Sequence, residues 1–338
     1  MSEPDLACWR SRALAFESSL NSVLVGMQDA VRMITIAVFA RGHVLLEGDV
    51  GVGKTTLLKS VARAVGGAYQ RIEGTVDLMP SDLVYYTQLG DDGRPRVLPG
   101  PLLERGEDLS IFFFNEINRA RPQVHALLLR VMAERTINAF NREFRFPFLQ
   151  VFADRNRVER EETFELPAAA RDRFLMEISI EVPEQRSKLR ALMFQPRYHD
   201  VDAMIAGLAE GMIEHEKLDE VARAIQTTIR ASDALEEYGV DLWLATRDPA
   251  RYGVTLSDVD IDEFVLAGAS PRGVAMLTRA ARVHAWLEGR EATVPEDVRA
   301  VFPETITHRI CLRPVYEVQR GTLLGPFVGE VLKRVCAP

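Results

Sequence analysis

Gly48-Asp49-Val50-Gly51-Val52-Gly53-Lys54-Thr55 has the residue types and spacing of a phosphate-binding loop. Its glycines let backbone N–H groups close around phosphates at the start of a helix. Lys54 carries the charge that neutralises the β- and γ-phosphates, and the Thr55 hydroxyl is placed to ligate Mg²⁺. With Thr56 in the same first turn, these nine residues form the candidate nucleotide-binding set. A dinucleotide fingerprint is the rival pattern. It fails because Gly51-Val52-Gly53 is followed by Lys54-Thr55-Thr56, which lacks the third glycine.

Phosphate binding alone does not hydrolyse a nucleotide. Hydrolysis needs a group that holds the metal and a group that orients water. Ile111-Phe112-Phe113-Phe114-Asn115-Glu116 supplies candidates for both. Four apolar residues make a buried strand whose end delivers two polar side chains. Glu116 is the expected water-polarising base. Asn115 stands where an aspartate would hold the Mg²⁺ shell. Its amide oxygen accepts but carries no charge.

These residues need a frame. Apolar runs at 43–47, 69–72, 109–114, 148–153 and 176–180 read as strands, and amphipathic stretches at 28–40, 55–65 and 122–134 read as helices. The alternation predicts an α/β fold: a P-loop core with a parallel sheet flanked by helices. Residues 135–146 have the look of a hairpin. Beyond Pro183 the strand signal fades, and 184–194, 201–210, 218–237, 271–287 and 295–301 have helical periodicity. The expected organisation is an N-terminal helical extension over 1–22, a nucleotide-binding α/β core over 23–183, and an α-helical lid domain with a C-terminal tail over 184–338.

Over 338 residues the net charge is −8 and the pI is near 5.5. An acidic chain is poorly suited to gripping nucleic-acid phosphates, so no nucleic-acid partner is expected. Cys8, Cys311 and Cys336 fit no zinc spacing and read as free thiols of a reducing compartment. The six histidines also lack ligand spacing. The N-terminus has no basic region of a secretory signal. No apolar run reaches the about 18 residues that would span a membrane. A cytoplasmic protein is the expectation.

Phe114-Asn115-Glu116-Ile117-Asn118-Arg119-Ala120 resembles the "ADEINRA" segment of the MoxR-type AAA+ ATPases. Other segments follow in order. Val25-Gly26-Met27-Gln28 is similar to the motif whose backbone sits by the adenine. Asp77-Leu78-Met79-Pro80-Ser81-Asp82 resembles "DLLPSD", and Pro99-Gly100-Pro101 matches "PGP". Val151-Phe152-Ala153-Asp154-Arg155-Asn156 resembles the "IATQN" sensor 1 strand. Residues 166–174 resemble "LPEAQLDRF", and Gly268-Ala269-Ser270-Pro271-Arg272 resembles the sensor 2 motif of the lid. The likeness spans about residues 23–313. It departs at Asn115 for Asp, at Asp154-Arg155 for Thr-Gln, and at Ala168 and Arg171 before the finger.

The resemblance implies ATP and Mg²⁺ as cofactors, with Val25 and Gly26 beside the base and Asn115 beside the metal. Glu116, Asn156, Arg173 and Arg272 are its implied catalytic set: base, polar sensor, trans-acting finger and lid sensor. By themselves, Asn156 reads as a turn residue, Arg173 as part of a surface charge cluster and Arg272 as a helix-start arginine. The implied assembly is a ring, a hexamer by expectation. The implied partners are a von Willebrand factor A (VWA) protein and a client enzyme, such as a metal-dependent dehydrogenase, matured by metal or cofactor insertion. The spelling around 115–136 resembles the branch associated with methanol dehydrogenase activation. Slow hydrolysis is expected from Asn115. The competing readings are a non-hydrolysing ATP-binding scaffold and a helicase-like DNA motor.

Overall fold

The computed structural model describes residues 4–156 and 163–338. Its contacts divide into two compact units. Ser11–Arg173 with Ile178–Asp219 holds the sheet, apart from the first two residues of the strand Met176–Ile180. The N-terminal residues to Arg10, Phe174–Glu177 and Glu220–Pro338 make a helical unit.

The sheet has five strands in the order Ala68–Glu73, Leu109–Asn115, Gln150–Asn156, Val44–Gly48, Met176–Ile180. The pairings among the first four are parallel. Leu109–Asn115 is buried at every position, which its run of Ile and Phe requires: a central parallel strand is covered on both faces. Parallel strands also end at one edge. Gly48 therefore stands opposite Asn156, and Asn115 ends the strand on the other side of Gln150–Asn156. That edge gathers the polar chemistry.

The helices follow the apolar spacing. Lys54–Val65 leaves the phosphate-binding loop and stops at Gly66, whose φ of 79° suits only glycine. Pro122–Glu134 starts on a proline, as a first helical turn tolerates. The hairpin is present as Thr136–Ala139 and Arg142–Arg145. Phe140 and Asn141 turn it with positive φ. Phe146 is fully buried, while Phe140 is 51% exposed at the tip. Phe144 lies under the Arg142 guanidinium, 4.1 Å from its centroid.

By contacts, the segment from Ile178 to Asp219 goes with the sheet. Backbone bonding accounts for this. Gly211 N–H donates to Arg63 O at 3.0 Å and Met212 N–H to Ala64 O at 2.8 Å. Arg63 Nε reaches Leu208 O at 2.9 Å. The segment up to Asp219 is thus sewn onto the helix that follows the phosphate-binding loop.

In the helical unit, Pro271–Leu287 forms over the expected span, with the Ser270 hydroxyl accepting from Gly273 N–H at 3.1 Å. The stretch 218–237 is two helices, Leu218–Thr228 and Asp233–Ala245, because Ser232 caps the second. Asp297 is fully buried. It accepts from Val294 N–H at 2.8 Å, meets His284 Nδ1 at 2.6 Å and pairs with Arg290. The hairpin Tyr85–Leu89 with Pro95–Pro99 and the helix Arg320–Arg334 were not legible in the sequence. The first is exposed, so no burial pattern marks it, and Pro326 interrupts the second's periodicity. No described helix is long and apolar enough to cross a membrane.

Candidate functional site

The loop between Val44–Gly48 and Lys54–Val65 is built on glycine where only glycine fits. A Cβ on Gly48 would lie 2.5 Å from Ile180 O. Gly51 and Gly53 have φ of 81° and 92°, in the left-handed region that side chains resist. Space beside Gly51 is open. Asp49 and Val50 are exposed, and Val52, Thr55 and Thr56 are half-buried around the first helical turn. Gly26, at φ 81°, leaves no room for a Cβ against Pro183, and a Cβ on Gly53 would come within 2.9 Å of Met27 Cε. The Val25-Gly26 turn is therefore held beside the loop.

Lys54 is buried. Its Nζ donates to Gly48 O at 2.7 Å, Asp49 O at 3.1 Å and Asn156 Oδ1 at 2.5 Å. Asn156 Nδ2 donates in turn to Glu116 Oε1 at 3.1 Å. One amide orientation satisfies both contacts, since the oxygen must face the ammonium and the nitrogen the carboxylate. Arg119 Nη1 holds the other Glu116 oxygen at 3.1 Å. Lys54, Asn156 and Glu116 thus form one connected chain of side chains from three separate segments.

Glu116 has φ 53°, rare for a side chain of its size. Two neighbours hold that conformation. Its N–H donates to Asp154 Oδ1 at 2.6 Å, and Gly74 packs so closely that a Cβ there would lie 2.2 Å from Glu116 O. Strain of this kind persists where the surroundings over-determine it, and it concentrates at functional sites. Asp154 is 2% exposed, with Oδ2 3.9 Å from Lys54 Nζ. Burial raises its carboxyl to a pKa of about 6, against the opposing pull of the Glu116 N–H and the Lys54 charge.

Two further candidates lie on other elements. Arg173 follows the short helix Ala168–Arg171 and bonds Ala169 O at 2.8 Å. Arg272 is an exposed residue in the first turn of Pro271–Leu287, in the helical unit. Asp154, Arg119 and Gly74 were not among the predicted site residues. Asp154 did carry a signal, as a departure from Thr two residues before Asn156.

The donor set fits a nucleoside triphosphate with Mg²⁺. The glycine cradle and Lys54 suit phosphate oxygens. The Thr55 hydroxyl, the Asn115 amide and the Asp154 carboxylate offer oxygen ligands, the kind Mg²⁺ takes alongside water and phosphate.

Residues 43–176 match the ATPase family associated with various cellular activities (AAA), and residues 260–322 match the AAA lid domain. The chain is 60% identical to the protein MoxR of Methylorubrum extorquens over 98% of its own length and 97% of that protein's. It is 34% identical to the chaperone MoxR1 of Mycobacterium tuberculosis, over 94% of its own length and 80% of that protein's. A crystal structure from Cytophaga hutchinsonii, of a protein proposed to be an ATPase, superposes with a TM-score of 0.82 at 27% identity, covering 98% of this chain and 97% of that one.

Proposed function

The chain belongs to the MoxR-type AAA+ ATPases, and we propose that it couples ATP hydrolysis to the remodelling or maturation of a client enzyme. The observation that carries this reading is the chain Lys54–Asn156–Glu116. It joins the phosphate-binding lysine to a carboxylate through a polar side chain, so both ends respond to the same ligand. When phosphates occupy the loop, Lys54 turns to them and releases Asn156. Asn156 and Glu116 are then free to orient a water molecule, with Glu116 accepting its proton. Mg²⁺, when bound, neutralises charge on the β- and γ-phosphates.

Arg173 is proposed as the finger that completes a neighbour's site, which makes a ring, a hexamer, the working form. Arg272 is proposed as the lid's nucleotide sensor. Label distances between core and lid that change with ATP against ADP equally in wild type and Arg272→Ala would remove it from that role. A VWA-domain partner and a metal-dependent dehydrogenase as client remain part of the proposal, and the chaperone name of MoxR1 supports action on a protein. The cytoplasm is the proposed location. Turnover is slow if Asn115 stands alone beside the metal; loss of hydrolysis altogether would make the chain an ATP-binding scaffold.

Glu116→Gln tests the reading. It should retain ATP while phosphate release falls by about 10²–10⁴-fold, the usual weight of a general base. Release at the wild-type rate would refute the assignment.

A further inference from the structure

We propose that Asp154 supplies the metal-holding carboxylate that Asn115 does not, so that the acid of this site sits on the neighbouring strand. The inference rests on the ATPase reading above and adds a residue to it.

Three observations carry it. The first is register. Phe113 pairs with Phe152 and Phe114 with Ala153 in parallel strands, and Asn115 and Asp154 are the residues that follow the last of these pairs. Both therefore lie at the strand ends where the site is built. The second is placement. One Asp154 oxygen accepts from the backbone N–H of Glu116. The other lies 3.9 Å from Lys54 Nζ, the group that meets the β- and γ-phosphates in such loops. A metal that arrives with those phosphates would be held within reach of this second oxygen.

The third is burial. Asp154 is 2% exposed, and its 3.9 Å contact with Lys54 is longer than the three that Lys54 makes to other acceptors. A carboxylate placed this deep suits a cation that arrives with the ligand. The pairing of the two departures also has a reason. Aspartates at both 115 and 154 would repel at close range, whereas Asn115 with Asp154 keeps one negative charge in the site. The charge has changed strands without changing in number.

The test measures metal, not turnover. Fluorescent ATP binding to the full chain is followed in EDTA and in rising Mg²⁺, and Mn²⁺ binding to the protein–ATP complex is followed by paramagnetic resonance. Asp154→Asn can keep the oxygen that accepts from Glu116 N–H, while it removes the charge and replaces the oxygen facing Lys54 with an NH2. ATP binding in EDTA sets the metal-free baseline of each protein, and relative to that baseline the metal titration should shift to about 10–100-fold higher concentration, the usual weight of a group supporting a metal site. Adding Asn115→Asp to Asp154→Asn should bring the titration back to within a few-fold of wild type. Should Asp154→Asn not fold, the pair Asp154→Thr and Asn115→Asp/Asp154→Thr makes the same comparison. An unchanged metal titration without the charge, or no recovery in the double variant, overturns the proposal. Absence of ATP binding by wild type under both conditions would instead sink the ATPase reading itself.

Discussion

The backbone N–H of Glu116 donates to the Asp154 carboxylate at 2.6 Å, so the candidate base is set by a residue from the adjacent strand. The bond fixes Glu116 in a left-handed conformation, from which its side chain reaches both Asn156 and Arg119. Geometry at Glu116 is therefore a property of the strand ends together.

Gly74 is the other support of that conformation, and it offers a test remote from the phosphates. Any Cβ at this position would meet Glu116 O at 2.2 Å, so the Glu116 backbone must move in Gly74→Ala. Small misplacements of a catalytic group cost about 10²-fold. Phosphate release should fall by about that factor, while ATP affinity in EDTA stays within a few-fold. Equal loss of both would show that Gly74 serves the fold as a whole.

Arg173 should act across a subunit boundary. Arg173→Ala should lose hydrolysis by about 10³–10⁵-fold, the effect of an arginine finger, with little change in ATP affinity. Mixing it with Lys54→Ala subunits should restore part of the rate, because some interfaces then combine an intact loop with an intact finger. No recovery on mixing, or full activity from dilute monomer, would count against the ring.

Asp297 predicts a pH dependence in the helical unit. Burial raises its pKa, but hydrogen bonds from His284, Val294 N–H and Arg290 outweigh burial and hold it below its ordinary value. A lowered carboxylate contributes its stability fully above the unfolded value of about 3.9 and loses it as pH falls through the folded one. Asp297→Asn removes the charge that faces His284 and the part-exposed Arg290 and should cost about 1–3 kcal/mol at pH 7. Denaturant unfolding of both proteins from pH 7 to pH 3 should show a gap that holds above about pH 4 and narrows below it. A gap of constant size through the acid range would mean that the lost stability is not electrostatic.

Local chemistry made much of this protein readable from its residues. Gly48 to Thr55 announces phosphate binding because glycine spacing and a lysine are needed there whatever the rest of the chain does. Ile111 to Phe114 announces a central strand because four consecutive apolar residues fit only where both faces are covered. Pro271–Leu287 and Pro122–Glu134 kept their expected limits, since proline at a helix start and apolar spacing are properties of the segment alone.

Relationships between distant segments were not readable in the same way. Residues up to Asp219 group with the sheet by contact because backbone groups near Gly211 bond to Arg63 and Ala64, and no periodicity records such a bond. Asp154 read as a substitution in a sensor strand until the fold set it against Glu116 N–H and Lys54. Gly74 carried no motif at all; its role comes from how closely one loop approaches another. Sequence by itself determined which residues can bind phosphate and build the sheet, because those demands act within a few positions. The tertiary structure decided which acid meets the phosphate-binding lysine, because strand order and register, set by burial over the whole sheet, bring together residues 100 positions apart (Lys54 and Asp154).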